Sequence, residues 1–166
     1  EESVRVPMLV WSPALFEGGQ TIEQMVQNVD IAPTILACAG VDKSDIMVGK
    51  SMLPLLQGED VEWRNRIFYE YYWEYDFPMT PTTFGVRDAQ YKLIRYHGIW
   101  DRNEFYDLKN DPNELYNLIE ASEHQKKIVA MTEALYAWLQ NTNGMQIPLK
   151  RTVKWRWGDF KHSAQY

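Results

Sequence analysis

The sequence predicts an α+β fold: a small four-stranded antiparallel sheet covered by a long C-terminal helix, preceded by a single strand and helix of the α/β kind. Three observations support this fold class. A lone apolar run and a capped helical segment come first, four short segments rich in β-formers follow with short connections, and a helical periodicity comes last.

The first element is the continuous apolar run Val6–Trp11, which is closed by Ser12-Pro13. Such a run is typical of a strand buried on both faces of a mostly parallel sheet. No later segment offers a second strand of this kind, so we predict a remnant strand whose sheet lies mostly outside the chain. The opening Glu1-Glu2-Ser3, without Met, likewise predicts a piece of a longer protein.

The second element is a helix predicted over Val29–Ala39, with Asp30 near its start and Gly40 as its C-terminal stop. Pro33 is compatible with this helix only in the first turn, where its missing N–H costs nothing. A linker-like stretch over residues 41–60 follows. The predicted domains are the end of an α/β domain (1–60), the sheet with its helix (61–149), and an aromatic and basic tail (150–166).

The sheet is predicted from four segments with β-forming residues: Arg66–Tyr72, Thr83–Arg87, Tyr91–Tyr96 and Glu104–Leu108. Connections between the last three are too short for a parallel crossover, so the pairing should be antiparallel.

The covering helix is predicted to begin at a capping box formed by Ser122 and Gln125 and to stop at Asn143-Gly144. Apolar residues recur between them at helical spacing: Ile128, Met131, Leu135, Trp138 and Leu139.

Composition excludes several classes of function. The net charge of −6 disfavours nucleic acid as a partner, and no apolar stretch approaches the length of a membrane span. The single Cys38 lies in an apolar helical run and can form no internal disulfide, and the three histidines lack zinc spacing. We therefore expect no catalytic residue and no metal site in this chain.

Seven short sequence motifs occur in this chain one after another. They are Glu1–Pro7, Asn28–Leu36 with Ala39-Gly40-Val41, Gly49–Gly58, Trp63-Arg64, Gly85-Val86-Arg87, Tyr91–Tyr96 and Glu104–Leu118. In this order they resemble the C-terminal portion of the sulfatases, of the arylsulfatase and sulfated-glycan type, within the alkaline-phosphatase-like superfamily. The resemblance extends from Glu1 to about Gln140 and implies that the first strand and helix are the remnant of the α/β sulfatase domain.

The resemblance implies that the parent enzyme hydrolyses sulfate esters with a formylglycine and a calcium ion. Both belong to the larger N-terminal domain of the family. Cys38 is followed by Ala39-Gly40-Val41-Asp42 and does not match the formylglycine motif, so we expect the isolated chain to lack a cofactor and to be inactive.

Substrate selection is the role expected of this part. The long, aromatic and acidic connection Tyr71–Thr83 suits sugar rings, and its candidate residues are Trp73, Glu74, Tyr75 and Asp76. His97 and Trp100, after the third strand, are the other candidates. The alternatives are that the aromatics cover an interface with the missing domain and that His97 is an ordinary exposed turn residue.

The sequence thus predicts the C-terminal part of a sulfatase acting on a sulfated carbohydrate, with packing and substrate selection as its own roles. Its partners would be the N-terminal catalytic domain and a sulfated carbohydrate, without nucleic acid or membrane, and the family implies a periplasmic or secreted location. The alternatives are a free-standing carbohydrate-binding or interaction module, or part of a related phosphatase or phosphonate hydrolase. The exposed apolar surface predicts self-association of the fragment or disorder of residues 1 to about 60.

Overall fold

The computed structural model describes residues 1, 4–72, 80–97 and 101–146. They fall into two compact units, Glu1–Asn65 and a second that begins at Arg66. Each unit is described by itself below.

The first unit contains two helices. A 3₁₀ turn at Asn28–Asp30 runs directly into α1, Ile31–Cys38, and a short α2 covers Leu53–Leu56. Gly40 follows α1 with φ +70, a left-handed conformation that glycine adopts without a steric penalty. The predicted first helix and its stop are therefore confirmed.

The carboxylate of Asp30 holds the first unit together at the start of α1. It is 0% exposed. Oδ1 accepts hydrogen bonds from the backbone N of Lys50 at 2.8 Å and from Arg64 Nη2 at 2.7 Å, and Oδ2 accepts from the backbone N of Gln27 at 2.8 Å. Arg64 Nη1 makes a second contact with Oδ2. One side chain thus joins the helix start to two later segments.

A second bridge to the same helix runs through Thr34. Its hydroxyl donates to the carbonyl of Asp30 at 2.6 Å and accepts from the N–H of Met52 at 2.8 Å. At Gly49 the backbones approach so closely that a Cβ would lie 1.9 Å from the carbonyl oxygen of Val29. Only glycine fits there, because the obstructing atom is backbone.

The predicted strand at Val6–Trp11 is wrong for this chain. The segment has no regular secondary structure, and Leu9 and Trp11 are 98% and 86% exposed. A strand needs a partner for its backbone N–H and C=O groups, and the described residues offer none to this segment.

The second unit contains the predicted sheet. Its strands are β1 (Ile67–Tyr71), β2 (Thr83–Arg87), β3 (Tyr91–Tyr96) and β4 (Glu104–Asp107), which pair antiparallel in the order β1-β2-β3-β4. The prediction of a four-stranded antiparallel meander is confirmed.

The helix α3, Gln125–Asn141, covers one face of this sheet, as predicted. Its buried side chains recur at helical spacing and pack on four side chains of β2, β3 and β4. The core contains Ile128, Met131, Leu135 and Leu139 from the helix and Phe84, Val86, Leu93 and Phe105 from the sheet.

The capping box predicted at the start of α3 is wrong. Ser122 begins a 3₁₀ turn, Ser122–His124, and no side chain caps either helical segment. The Gln125 amide reaches back as a donor to the carbonyls of Ile119 and Ala121, at 2.9 and 3.1 Å. At the other end the predicted stop is confirmed: Asn143 has φ 59, and the N–H of Gly144 donates to the carbonyl of Leu139 at 2.7 Å.

Two aspartates shape the segment after β4. Asp107 Oδ1 accepts from the backbone N of Lys109 and of Asn110, and Asp111 Oδ2 accepts from the N of Tyr116 at 2.8 Å. Leu115 does not pack on the core, because its side chain is 71% exposed. Leu118, by contrast, does pack there.

The turn between β2 and β3 is held by Asp88. Its Oδ1 accepts from the backbone N of Gln90 at 3.0 Å and of Tyr91 at 2.7 Å, and Oδ2 accepts from Lys127 Nζ of α3 at 2.7 Å. The hairpin end of the sheet is thereby tied to the helix.

Candidate functional site

The connections that carry every predicted site residue share one end of the sheet. In the register Tyr71 lies opposite Thr83 and Thr83 opposite Tyr96, so β1 ends where β2 begins and β3 ends beside them. The β1–β2 and β3–β4 connections therefore both leave from this end, which we call the loop end.

Of the six predicted residues, only His97 lies within the described part of the chain. Trp73, Glu74, Tyr75, Asp76 and Trp100 lie outside the described residues. For these five residues the structure shows only that the connections containing them begin and end at the loop end of the sheet.

His97 is exposed and makes its contacts across the two connections. Its backbone N–H donates to the carbonyl of Thr82 at 2.9 Å, and its ring centroid lies 4.8 Å from that of Phe84 with the planes at 68°. Thr82 belongs to the β1–β2 connection and His97 to the β3–β4 connection. The imidazole is thus held against the core by one edge-to-face contact while remaining open to solvent.

A partly buried polar network, which the sequence did not indicate, lies at the same end of the sheet. The hydroxyl of Tyr72 lies 2.6 Å from Glu70 Oε2 and 3.1 Å from the carbonyl oxygen of Gly144, and Trp138 Nε1 donates to Glu70 Oε1 at 2.8 Å. Burial, reinforced by the Glu70 carboxylate, raises the pKa of Tyr72 far above its ordinary value. The phenol therefore keeps its proton and acts as a donor.

The sheet face opposite α3 carries a second carboxylate between two phenols. Glu104 accepts hydrogen bonds from the hydroxyls of Tyr96 and Tyr106, each at 3.1 Å. Burial, and then the charge of Glu104, raises the pKa of Tyr96 and of Tyr106 to about 12. Both phenols are neutral donors at physiological pH.

Replacing Glu104 by Gln is expected to lower the pKa of both tyrosines from about 12 toward the ordinary 10.0, though not fully, since burial is the larger cause. The wild type should also lose the stabilisation that these neutral phenols provide as pH rises from 10 through about 12. An alkaline titration of phenolate absorbance, compared between wild type and variant, measures the shift. Glu120→Gln, at an exposed position, is the control, and an unchanged titration in Glu104→Gln would contradict the assignment.

Two arginines also belong to these elements. Arg95 Nη2 donates to Thr132 Oγ1 of α3 at 2.8 Å, and Arg102, in the β3–β4 connection, forms an exposed ion pair with Glu120 at 2.9 Å. The described site thus offers hydrogen-bond donors, acceptors and one exposed imidazole, which suit recognition of a polar ligand.

The described residues do not supply the groups that hydrolysis of a sulfate ester requires. They contain no group of three or more His, Cys, Asp or Glu side chains arranged to hold a metal ion. Cys38 is the last residue of α1, in the first unit, and its sequence context does not match a formylglycine motif. The residues present therefore do not fit a formylglycine or calcium centre.

Within the same described ranges, no helix has both the length and the apolarity needed to cross a membrane.

Comparison with known proteins gives consistent matches. The family model for "N-sulphoglucosamine sulphohydrolase, C-terminal" matches residues 1–141. An N-acetylglucosamine-6-O-sulfatase of Bacteroides thetaiotaomicron is 34% identical over 133 residues, which are 76% of this chain and 23% of that protein. The chain thus spans about a quarter of the length of that curated relative.

Solved structures match the fold. A structure in complex with its substrate D-glucosamine-2-N,6-O-disulfate superposes with a TM-score of 0.72 at 29% identity, covering 81% of this chain and 28% of the other. A phosphonate monoester hydrolase from Silicibacter pomeroyi superposes with a TM-score of 0.68 at 21% identity, covering 80% of this chain and 28% of the other. The second likeness is one of fold alone.

Proposed function

Because the chain belongs to the family of N-sulphoglucosamine sulphohydrolase C-terminal regions, we propose that it is the C-terminal part of a sulfatase that acts on a sulfated amino sugar. In this proposal the preceding part of the enzyme performs the hydrolysis, and this part packs on it and selects the substrate. A periplasmic or secreted location belongs to the same proposal.

The observation that carries the selecting role is the shared loop end. His97 and the connections containing Trp73–Asp76 and Trp100 start from one end of a sheet that is packed on one face against α3. Loops held by a rigid scaffold are the usual location of binding residues. The substrate class is supported by the relatives, since one is named for N-acetylglucosamine-6-O-sulfate and one is a complex with a sulfated glucosamine.

Each candidate residue has a role that its chemistry permits. The exposed imidazole of His97 donates a hydrogen bond to a sulfate oxygen or exchanges one with a sugar hydroxyl. The proposal assigns Trp73, Tyr75 and Trp100 to stacking on the apolar side of a sugar ring, and Glu74 and Asp76 to accepting hydrogen bonds from its hydroxyls. In the parent enzyme, formylglycine and calcium would supply the nucleophile and charge stabilisation from outside this chain.

The test is His97→Ala in the full-length enzyme. With N-acetylglucosamine-6-sulfate we expect KM to rise about five- to tenfold at nearly unchanged kcat, the loss of about one good hydrogen bond to the substrate. Activity on a small aryl sulfate, which lacks the sugar, should be unchanged. Lys109→Ala, an exposed residue beyond the opposite end of β4, is the matched control.

Three results would each overturn a part of the proposal. An unchanged KM in His97→Ala removes His97 from the selecting site. Hydrolysis of a phosphonate monoester but of no sulfate ester would favour the hydrolase alternative, while sugar binding by a protein with no esterase activity would favour a free-standing binding module.

Docking on the N-terminal domain is supported by the surface of the first unit. Large apolar side chains are exposed there, among them Val6, Leu9, Trp11, Ile35, Val41 and Ile46. Monomeric proteins rarely leave a large apolar patch uncovered. The interface proposal therefore assigns these side chains to the missing domain.

The 166-residue chain on its own should accordingly self-associate. Light scattering over a range of protein concentrations measures this, and exchanging Leu9 and Trp11 for Ser should shift the distribution toward monomer because it removes two of the most exposed apolar side chains. A monodisperse monomer of the unmodified chain would contradict this prediction.

A further inference from the structure

Three rings form a row across the helix-facing side of the sheet at its loop end. The centroid of Phe84 lies 5.6 Å from that of Tyr72, with planes at 72°, and 4.8 Å from that of His97, with planes at 68°. Phe84 is 2% exposed and belongs to the core cluster. Since close-packed side chains cannot shift independently, the orientation of each outer ring depends on the middle one.

The Tyr72 end of this row is fixed by Glu70. Its two carboxylate oxygens have separate partners, the Tyr72 hydroxyl at 2.6 Å and Trp138 Nε1 at 2.8 Å. Trp138 is itself stacked on Phe68, with centroids 4.6 Å apart and planes at 3°. The carboxylate therefore has little freedom to move.

The segment just after α3 packs against the same Glu70 carboxylate. A Cβ on Gly144 would lie 2.8 Å from Glu70 Oε2, 3.1 Å from the Tyr72 hydroxyl and 2.7 Å from a methyl carbon of Leu139. A side chain at this position would therefore push these side-chain ends out of their present places. The Tyr72 hydroxyl lies within hydrogen-bond distance of two acceptors, Glu70 Oε2 and the carbonyl oxygen of Gly144. It keeps its proton because its pKa is raised.

We propose that Glu70 and Tyr72 are positioning residues that set the orientation of His97 through Phe84. The inference rests on the proposed function only in assigning His97 to the sugar. Neither Glu70 nor Tyr72 contacts the substrate, and their effect is transmitted by ring contacts within the core.

His124 serves as an internal control for changes at His97. His124 also lies against aromatic rings, but its contacts are with Phe105 at 5.7 Å and Tyr91 at 6.0 Å. A change confined to the row should leave these contacts intact, whereas a general loosening of the second unit should alter both histidines.

The first test uses NMR of the histidine ring C–H groups in the 166-residue chain, which has only three histidines, with Leu9 and Trp11 exchanged for Ser in every sample to reduce self-association. Tyr72→Leu removes the ring from Phe84 and should shift the His97 signals while leaving those of His124 in place. Tyr72→Phe keeps the ring and should cause a smaller shift. Tyr69→Phe, a partly exposed tyrosine on the opposite face of β1, is the matched control and should shift neither.

Two NMR results would overturn the proposal. In the first, the His97 signals are unchanged in Tyr72→Leu. In the second, His97 and His124 shift together, which would show a general loss of packing.

The second test is kinetic and uses the full-length enzyme. Tyr72→Leu should raise KM for N-acetylglucosamine-6-sulfate about five- to tenfold, with kcat nearly unchanged and aryl sulfate hydrolysis unaffected. Glu70→Gln, which keeps the Tyr72 ring, should raise KM by a smaller factor. Tyr72→Phe should restore most of the loss seen in Tyr72→Leu. An equal fall of kcat on both substrates would overturn the positioning role.

The failures of the two proposals are distinguishable. If His97→Ala leaves KM unchanged, the proposed function of His97 fails, and the NMR result still decides whether Glu70 and Tyr72 position the ring. If His97→Ala raises KM and the Tyr72 variants do not, only the positioning proposal fails.

Discussion

Replacing Asp30 by Ala is expected to destabilise the first unit by about 3–5 kcal/mol, the range measured when one partner of a buried ion pair is removed. The substitution leaves the Arg64 guanidinium without its carboxylate, and it orphans the backbone N–H groups of Gln27 and Lys50. Urea denaturation and amide hydrogen exchange over residues 27–52 measure the loss. Asp45→Ala, an exposed aspartate of the same unit, should change stability by no more than about 0.5 kcal/mol.

The same carboxylate predicts the acid sensitivity of this unit. Burial alone would raise the pKa of Asp30, but the Arg64 guanidinium and two backbone N–H groups together hold it below its ordinary value of 3.8. A carboxyl whose folded pKa is lowered contributes its full stabilisation above its unfolded pKa and loses it as pH falls through the folded value. Stability should therefore fall as pH drops below about 3.8, and the fall should be shallower in Asp30→Ala. An identical acid transition in both proteins would refute this role.

Replacing Phe105 by Ala is expected to cost the second unit about 3–5 kcal/mol, because it removes a buried aromatic ring and leaves a cavity. Phe105 is 0% exposed, and its ring is stacked on Tyr91 with centroids 5.3 Å apart. Amide exchange in β3, β4 and α3 should increase together, since all three elements contribute to this core.

Tyr116→Ala is the matched control for Phe105, as an aromatic of the same unit that is 70% exposed. Its effect should stay within about 0.5 kcal/mol. Equal losses in the two variants would mean that Phe105 does not belong to the core that stabilises this unit.

The fold of the second unit was predictable because its signals are local. Thr83–Arg87 and Tyr91–Tyr96 have the residue types of strands and a short turn between them, and the observed bounds agree with the prediction. The apolar spacing from Ile128 to Leu139 placed α3 on the sheet by periodicity alone. Local pattern failed at Ser122, where the residue types of a capping box occur but the backbone forms a 3₁₀ turn.

The features that the sequence did not predict are contacts between residues far apart along the chain. The sequence indicated only that Asp30 lies near a helix start, whereas its carboxylate is bound by Arg64, 34 positions away. The sequence indicated only that Glu70 belongs to a strand, whereas its carboxylate accepts a hydrogen bond from Trp138, 68 positions away. The apolar run Val6–Trp11 failed as a strand for a related reason, since a strand depends on partners that the described chain does not provide.

The meander also places the contacts that tie the sheet to α3 and the two loop-end connections at opposite ends of the sheet. The hairpin end is tied to α3 by Asp88 and Lys127, and the core lies beneath the helix, so both constrain folding. The β1–β2 and β3–β4 connections both leave from the opposite end. A combinatorial library confined to residues 73–79 and 98–102 would therefore leave the Asp88–Lys127 pair and the core unchanged. If the proposed selecting role is right, such a library should change which sugars the parent enzyme accepts while the sheet and helix stay folded.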